Sequence, residues 1–268
     1  MKKRLVSKGL LVFTVMWFCF TAPIFPVRAE QPLRYATSAQ VYEAFGEKAI
    51  RVFEMNTQTR VALHVTSSSF AVNRLMNELA DLACTTEGVY YRHKDYGYVE
   101  IPFCKDPIAV IIHPRNKIRN LTEAQLRGIF TGRITNWRDL GGPDHGIVLV
   151  VPGKNTAAYK NFDRQMIRRG EIIYDFMTYK STMAIKAVKK FPYSISFIAQ
   201  GAASRHSGII TLNIDGRSPK DAEYPYCQMF SFVTKGDPGG PAKAFIDFTF
   251  SEKGRAIILE GGMTPLPR

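Results

Sequence analysis

Apolar positions along this chain switch repeatedly between a period of two and a period near 3.6. Residues 60–66 alternate, with Val61, Leu63 and Val65 on one face, which predicts a strand. After Ser67-Ser68-Ser69, the residues Val72, Leu75, Met76 and Leu79 recur at i, i+3, i+4 and i+7, which predicts a helix. A short strand at 33–35 precedes another helix, whose stripe is Val41, Phe45, Ala49 and Val52 and whose cap is Thr37 or Ser38. Residues 81–84 and the wholly apolar 108–112 read as buried strands, as do 147–151 and 195–198. Helices are expected from Ala157 onward and over 182–190, where Pro192 ends the pattern. A last helix is expected over 241–259, between the Asp237-Pro238-Gly239-Gly240 turn and Gly261-Gly262. Strands alternating with helix-length connections predict an α/β fold, organised as two sheets with parallel character. There is no internal repeat and no low-complexity segment.

The N-terminus follows a different rule. Lys2, Lys3, Arg4 and Lys8 form a positive start, residues 10–20 are apolar but too short to span a bilayer, and Val27-Arg28-Ala29 offers a cleavage site. Residues 1–29 therefore read as a secretory signal peptide, with Glu30 the first mature residue. Bulky Met16-Trp17-Phe18 ahead of Cys19 excludes a lipoprotein site. The segment holds five basic residues (the four named and Arg28) and no acidic one, so the formal charge falls from +13 to +8 without it. That positive balance suits anions. No Lys/Arg run is interleaved with aromatics, so nucleic acid is not an expected partner. The hydrophobic content of 46% suffices for one large domain or two lobes.

Cys84, Cys104 and Cys227 remain after the signal, with no CxxC spacing, and His64, His93, His113, His145 and His206 show no metal-ligand spacing. No metal or other cofactor is expected. There is no P-loop and no spanning helix after the signal.

The segment 121–142, LTEAQLRGIFTGRITNWRDLGG, is the most specific in the chain. Thr122 and Gln125 form a capping box, Leu126, Ile129 and Phe130 share one face, Gly132 closes the helix, and Asn136-Trp137 leads to a Gly141-Gly142 turn. The block closely resembles the corresponding segment of the phosphate-type periplasmic solute-binding proteins, the substrate receptors of ABC importers. Other segments keep the order of that family: Asp81–Thr86, Ile101-Pro102 with Asp106-Pro107-Ile108, Tyr224-Pro225 before an aromatic-rich strand, Phe245-Ile246-Asp247-Phe248, Ser251-Glu252-Lys253-Gly254, and Gly262–Leu266.

The resemblance implies an α/β, two-lobed periplasmic binding protein fold of type II-like topology, with mixed sheets flanked by helices and a hinge of two crossing strands. It implies a first lobe from 30–104, a second lobe from 105–223, and a return crossing with the first lobe's C-terminal helix in 224–268. It further implies a monomer in the periplasm that hands a small oxyanion, phosphate by family default, to an ABC permease in the inner membrane. An enzyme is not expected: no histidine or paired carboxylate is placed beside Ser67–Ser69 by any motif.

Three hydroxyl-bearing loops precede helix starts: Thr37-Ser38, Ser67-Ser68-Ser69 and Asn155-Thr156. Each hydroxyl taken alone reads as an N-cap. Together, in a chain with this resemblance, they read as a neutral, donor-rich cradle for an oxyanion, because helix starts leave N–H groups unpaired. The expected ligand set is Thr37, Ser38, Ser68, Ser69, Thr86, Lys154, Asn155, Thr156, Ala157 and Ala158. The second-lobe loop departs from the family pattern. Pro152 falls where the family has arginine, Lys154 where it has an acidic residue, and Thr156-Ala157-Ala158 where it has Ser-Gly-Thr. Thr86 falls where some phosphate receptors have aspartate, with Glu87 adjacent, and Ile195-Ser196-Phe197 stands for Ile-Gly-Tyr. Two readings follow: another anion with Lys154 replacing the guanidinium, or a degenerate site serving a sensory or partner-binding module. The family model also runs the segments of Cys104 and Cys227 side by side, which implies a disulfide across the hinge with Cys84 left free.

Overall fold

The computed structural model describes residues 31–87, 95–168 and 170–268, so the signal-peptide expectation for 1–29 and the reading of His93 lie outside the described residues. Strand β1 (Leu33–Ser38) runs into a continuous helical stretch, α1, made of Ala39–Val41, a wider π turn over Tyr42–Gly46, and Glu47–Thr57. Its buried stripe is Val41, Phe45, Ala49 and Phe53; the expected Val52 is only half-buried. Gln58, at φ 60°, ends the stretch in the left-handed region. Strand β2 (Val61–Thr66) follows, then α2 (Ser68–Met76) and β3 (Leu82–Thr85). Both β2 and β3 pair in parallel with β1.

Two expectations from periodicity need correction here. The Val61, Leu63, Val65 alternation makes a strand but not a core face, for Leu63 and Val65 are 37% and 39% exposed. β2 is the outermost strand, and α2 packs mainly over β3 and β1 and only marginally over it. Helix α2 also ends before Leu79, because Glu78 takes φ 58° and turns the chain out, leaving Leu79 54% exposed.

The 15-residue strand β4 (Tyr98–Ile112) leaves the first lobe and enters the second. There follow β5 (Asn120–Leu121), α3 (Glu123–Phe130), a 3-10 turn at Trp137–Leu140, β6 (Val148–Pro152), and α4 (Ala157–Phe162), which continues through a π turn over Asp163–Ile167. Then come β7 (Phe176–Thr178), α5 (Ser181–Lys190), β8 (Ser194–Ala199), α6 (Gln200–Ala203), β9 (Ile210–Thr211) and β10 (Asn213–Ile214). The 121–142 block folds as its residues dictate. Thr122 Oγ1 accepts from Gln125 N while Gln125 Oε1 accepts from Thr122 N, completing the capping box. Leu126, Ile129 and Phe130 are buried, and buried Trp137 donates from its indole to Tyr193 O at 2.8 Å.

The chain returns through β11 (Cys227–Lys235) and closes with α7 (Gly240–Phe250), α8 (Glu252–Glu260) and β12 (Thr264–Pro265). The single helix expected over 241–259 is thus two. Ser251 is extended and its Oγ accepts from Gly254 N, capping α8. A Cβ on Gly254 would stand 2.3 Å from Phe248 O, so this corner admits only glycine without rearrangement.

Strand order is β2-β1-β3-β11-β4-β8-β6-β7, with β9 and β12 added against β4 and a separate β5-β10 ribbon. β11 is antiparallel to the first half of β4, and β8 to its second half. Each lobe has its own aromatic core: Tyr35, Phe45, Phe53, Phe103, Phe232 and Phe245 in the first, and Phe130, Trp137, Phe162 and Phe197 in the second.

The crossing register corrects the disulfide expectation. Cys104 lies opposite Phe230, while Cys227 lies opposite Pro107, and all three described cysteines are free. Three positions of stagger along a strand separate the two by roughly 10 Å, beyond the reach of a disulfide. Burial pushes the Cys84 thiol up to about 12 and that of Cys227 up to about 11, so both are protonated thiols at neutral pH.

Candidate functional site

The parallel strands β1, β2 and β3 end side by side. Ser38 lies opposite Thr66, and Thr37 opposite Cys84, which places the Thr37-Ser38, Ser67-Ser68-Ser69 and Thr85-Thr86 segments along one edge of the sheet. The carboxyl ends of strands in open α/β sheets are where ligands bind.

The hydroxyls on this edge have different duties. Ser67 Oγ caps α2 by accepting from Phe70 N, and it also pairs with the exposed Ser69 Oγ at 3.3 Å. Ser38 Oγ caps α1 by accepting from Val41 N at 3.3 Å. Thr37 is fully buried and donates to Ser38 O at 3.4 Å. Ser68 and Thr86 do something else. Both are buried, their hydroxyl oxygens are 3.0 Å apart, and Ser68 Oγ also accepts from Thr86 N at 3.1 Å. One proton is used within the hydroxyl pair, and the other is left for an acceptor outside it. The first turn of α2, with its unpaired N–H groups, begins at Ser68 itself. The structure therefore brings Ser68 and Thr86 together in the buried part of this edge, while Ser38, which only accepts in its cap bond, and the more exposed Ser67–Ser69 pair each also keep one hydroxyl proton, and Thr37 gives its proton to Ser38 O.

In the second lobe, Thr156 caps α4: Oγ1 accepts from Tyr159 N at 3.2 Å and donates to Gly153 O at 2.7 Å. Its only proton is committed to that carbonyl, so a direct bond to an anion would have to displace it. What this loop offers freely is the pair of N–H groups of Ala157 and Ala158, the first two helical residues. Lys154 and Asn155 are exposed, and Lys154 makes no ion pair among the described residues. We expect Thr156→Ala to lower stability by about 1 kcal/mol, the usual cost of a lost N-cap, measured by urea unfolding. An unchanged midpoint would show that the cap is dispensable.

Sequence reasoning missed one contact. Lys160 Nζ on α4 reaches Glu87 Oε1 at 2.8 Å, joining the second lobe to the residue directly after Thr86. The signal in the sequence was weak: a lysine one turn beyond a helix start already marked for binding. A second missed residue lies on the hinge. Asp106 is fully buried on β4, accepting from Gly201 N of α6 and from Gln228 Nε2 of β11, each at 2.9 Å. Burial pushes its carboxyl up to about 6, against these two hydrogen bonds and the more distant Arg205.

Cavity size is a poor guide to the site. A cavity of about 450 Å³ is lined by Arg34, Asp81, Lys235 and Pro238, at the opposite ends of β1 and β3 from the hydroxyl edge. Among the described residues no His/Cys/Asp/Glu group is arranged to hold a metal. No helix among them is long and apolar enough to cross a membrane.

Two α/β lobes joined by crossing strands, with donors gathered at strand ends and helix starts between them, define a two-lobed solute-binding protein. The family profile described as PBP superfamily domain matches residues 26–253, and the chain belongs to that family. It is a binding protein of PstS-like type and not an enzyme. It is 26% identical to the phosphate-binding protein PstS of Borreliella burgdorferi, over 98% of both chains. Identity to the PstS of Bacillus subtilis is 27%, over 59% of this chain and 55% of that one. In fold it matches an ABC-type phosphate transport receptor from Vibrio cholerae with TM-score 0.70 at 22% identity, covering 88% of this chain and all of that chain (100%).

Proposed function

We propose that this protein is an exported receptor that captures phosphate between its lobes for an ABC importer. The observation that carries this reading is the buried Ser68–Thr86 hydroxyl pair, with one proton left over, at the start of α2. Neutral donors and helix-start N–H groups suit a small, multiply charged oxyanion, which needs many hydrogen bonds and no metal. The Ala157 and Ala158 N–H groups supply the second wall. The relatives named for phosphate binding support the choice of anion. The proposal includes a cleaved export signal at residues 1–29, a monomeric receptor in the periplasm, no cofactor, and a membrane permease as the partner that receives the anion.

Calorimetry and thermal unfolding with inorganic phosphate test it. At a hundredfold excess over Kd, phosphate should stabilise the protein by about 2.7 kcal/mol. Ser68→Ala should weaken binding by about 1–3 kcal/mol, the range for a lost hydrogen bond to a charged group. No stabilisation by phosphate, sulfate, molybdate or arsenate would end the receptor reading and leave the fold as a sensory or partner-binding module.

A further inference from the structure

Of the ion pairs among the described residues, only Glu87–Lys160 joins the two lobes. It stands beside the candidate cradle on both sides. Glu87 follows Thr86, so their Cα atoms are about 3.8 Å apart, and Thr86 shares the buried hydroxyl pair with Ser68. Lys160 is three residues beyond Ala157, on the same face of α4 one turn along. We propose that Glu87 is a built-in competitor, its carboxylate occupying the Lys160 ammonium until an oxyanion seated on the Ser68–Thr86 hydroxyls takes its place. The inference rests on the receptor reading above and deepens it by naming the cation that serves the anion.

The physical argument concerns charge. The donors of the cradle are neutral, and Lys154 is exposed, without an ion-pair partner among the described residues. Lys160 is the cation that reaches across, and a lysine on a four-carbon stem can change partners with little backbone movement. Its side chain is 48% exposed and that of Glu87 is 23% exposed, so the pair is a weak, exchangeable one rather than a buried fixture. A ligand with a single carboxylate offers Lys160 no more than Glu87 already does. A tetrahedral oxyanion with two charges offers more, and its remaining oxygens can take the Ser68–Thr86 proton and the α4 N–H groups. The competitor thus sets a threshold that favours multiply charged oxyanions.

The test is calorimetric titration of inorganic phosphate into the protein and its Glu87→Gln, Lys160→Met and Lys160→Arg variants, at two salt concentrations. Glu87→Gln should bind phosphate about two- to fivefold more tightly, the size of an exposed ion pair released. Lys160→Met should bind at least about tenfold more weakly and with a flatter salt dependence, while Lys160→Arg should retain most of the affinity. If the wild type binds phosphate and both Glu87→Gln and Lys160→Met stay within twofold of it, the inference falls and the receptor reading stands. Weaker binding by Glu87→Gln also overturns it, since a competitor cannot assist its rival. Binding by Glu87→Gln where the wild type shows none supports it. Failure of both to bind overturns the inference and the receptor reading together.

Discussion

Phe197→Ala is expected to destabilise the second lobe by about 3–5 kcal/mol, the range for truncating a buried aromatic. Phe197 is fully buried on β8, with its ring stacked on Phe162 at 3.7 Å and 4° and meeting Phe130 edge-on at 5.3 Å and 76°. Those three rings fasten β8, α4 and α3 to one another. For a protein of this size the loss corresponds to a fall in Tm on the order of 10 °C. The functional consequence follows from α4, whose start carries Thr156, Ala157 and Lys160. On the proposed receptor reading, phosphate affinity should therefore fall in Phe197→Ala at temperatures where the fold is still intact. A stability loss under about 1 kcal/mol would mean that this stack is not the keystone of the lobe.

Asp106→Asn is expected to do the reverse. The Asp106 carboxyl, raised to about 6 by burial, has an ordinary value of 3.8 in the unfolded chain. Between those values the folded protein holds more protons than the unfolded one, so this group's contribution to stability is full below about pH 4 and is lost as pH rises through 6. Holding the carboxyl that far above its ordinary value costs about 3 kcal/mol, as an order of magnitude, once it is ionised. Asparagine keeps an acceptor for Gly201 N, and once the Gln228 amide flips to turn its Oε1 where Nε2 now donates to Asp106, the asparagine amide can donate to that oxygen. The variant should be more stable than wild type by about 1–3 kcal/mol at pH 7, with the difference vanishing near pH 4. Urea unfolding of both proteins at about pH 4.5, 5.5 and 7.5 reads this difference. Parallel curves would show that Asp106 does not titrate in this window. Asp106→Ala should lose stability instead, because the Gly201 and Gln228 donors would be left unpaired.

The sequence was most informative where neighbours in the chain are also neighbours in space. The Thr122–Gln125 capping box, the Leu126, Ile129, Phe130 face and the Ser67–Ser69 helix start each form within a few residues, and each folds as its pattern dictates. Periodicity did less well at the ends of elements. It extended α2 to Leu79 although Glu78 turns the chain, and it fused α7 with α8 although Ser251 is a better cap than a helical residue. Of the expected ligand set, Ser68 and Thr86 share a hydrogen bond that no sequence pattern indicated, while Thr156 gives its proton to Gly153.

By itself, then, the sequence determined the α/β class, the order of elements, the two-lobed family and the hydroxyl-bearing loops at helix starts. The elements and the capped loops depend on local periods and caps, whose energies act over a turn or a residue pair, whereas the two-lobed family was read from the resemblance of the 121–142 block. Tertiary structure alone decided that Cys104 meets Phe230 and not Cys227, that Lys160 rather than Lys154 reaches Glu87, and that Asp106 lies buried between the crossing strands and α6. Each of those contacts joins segments tens to more than a hundred residues apart, and a shift of one residue in strand register would exchange every partner.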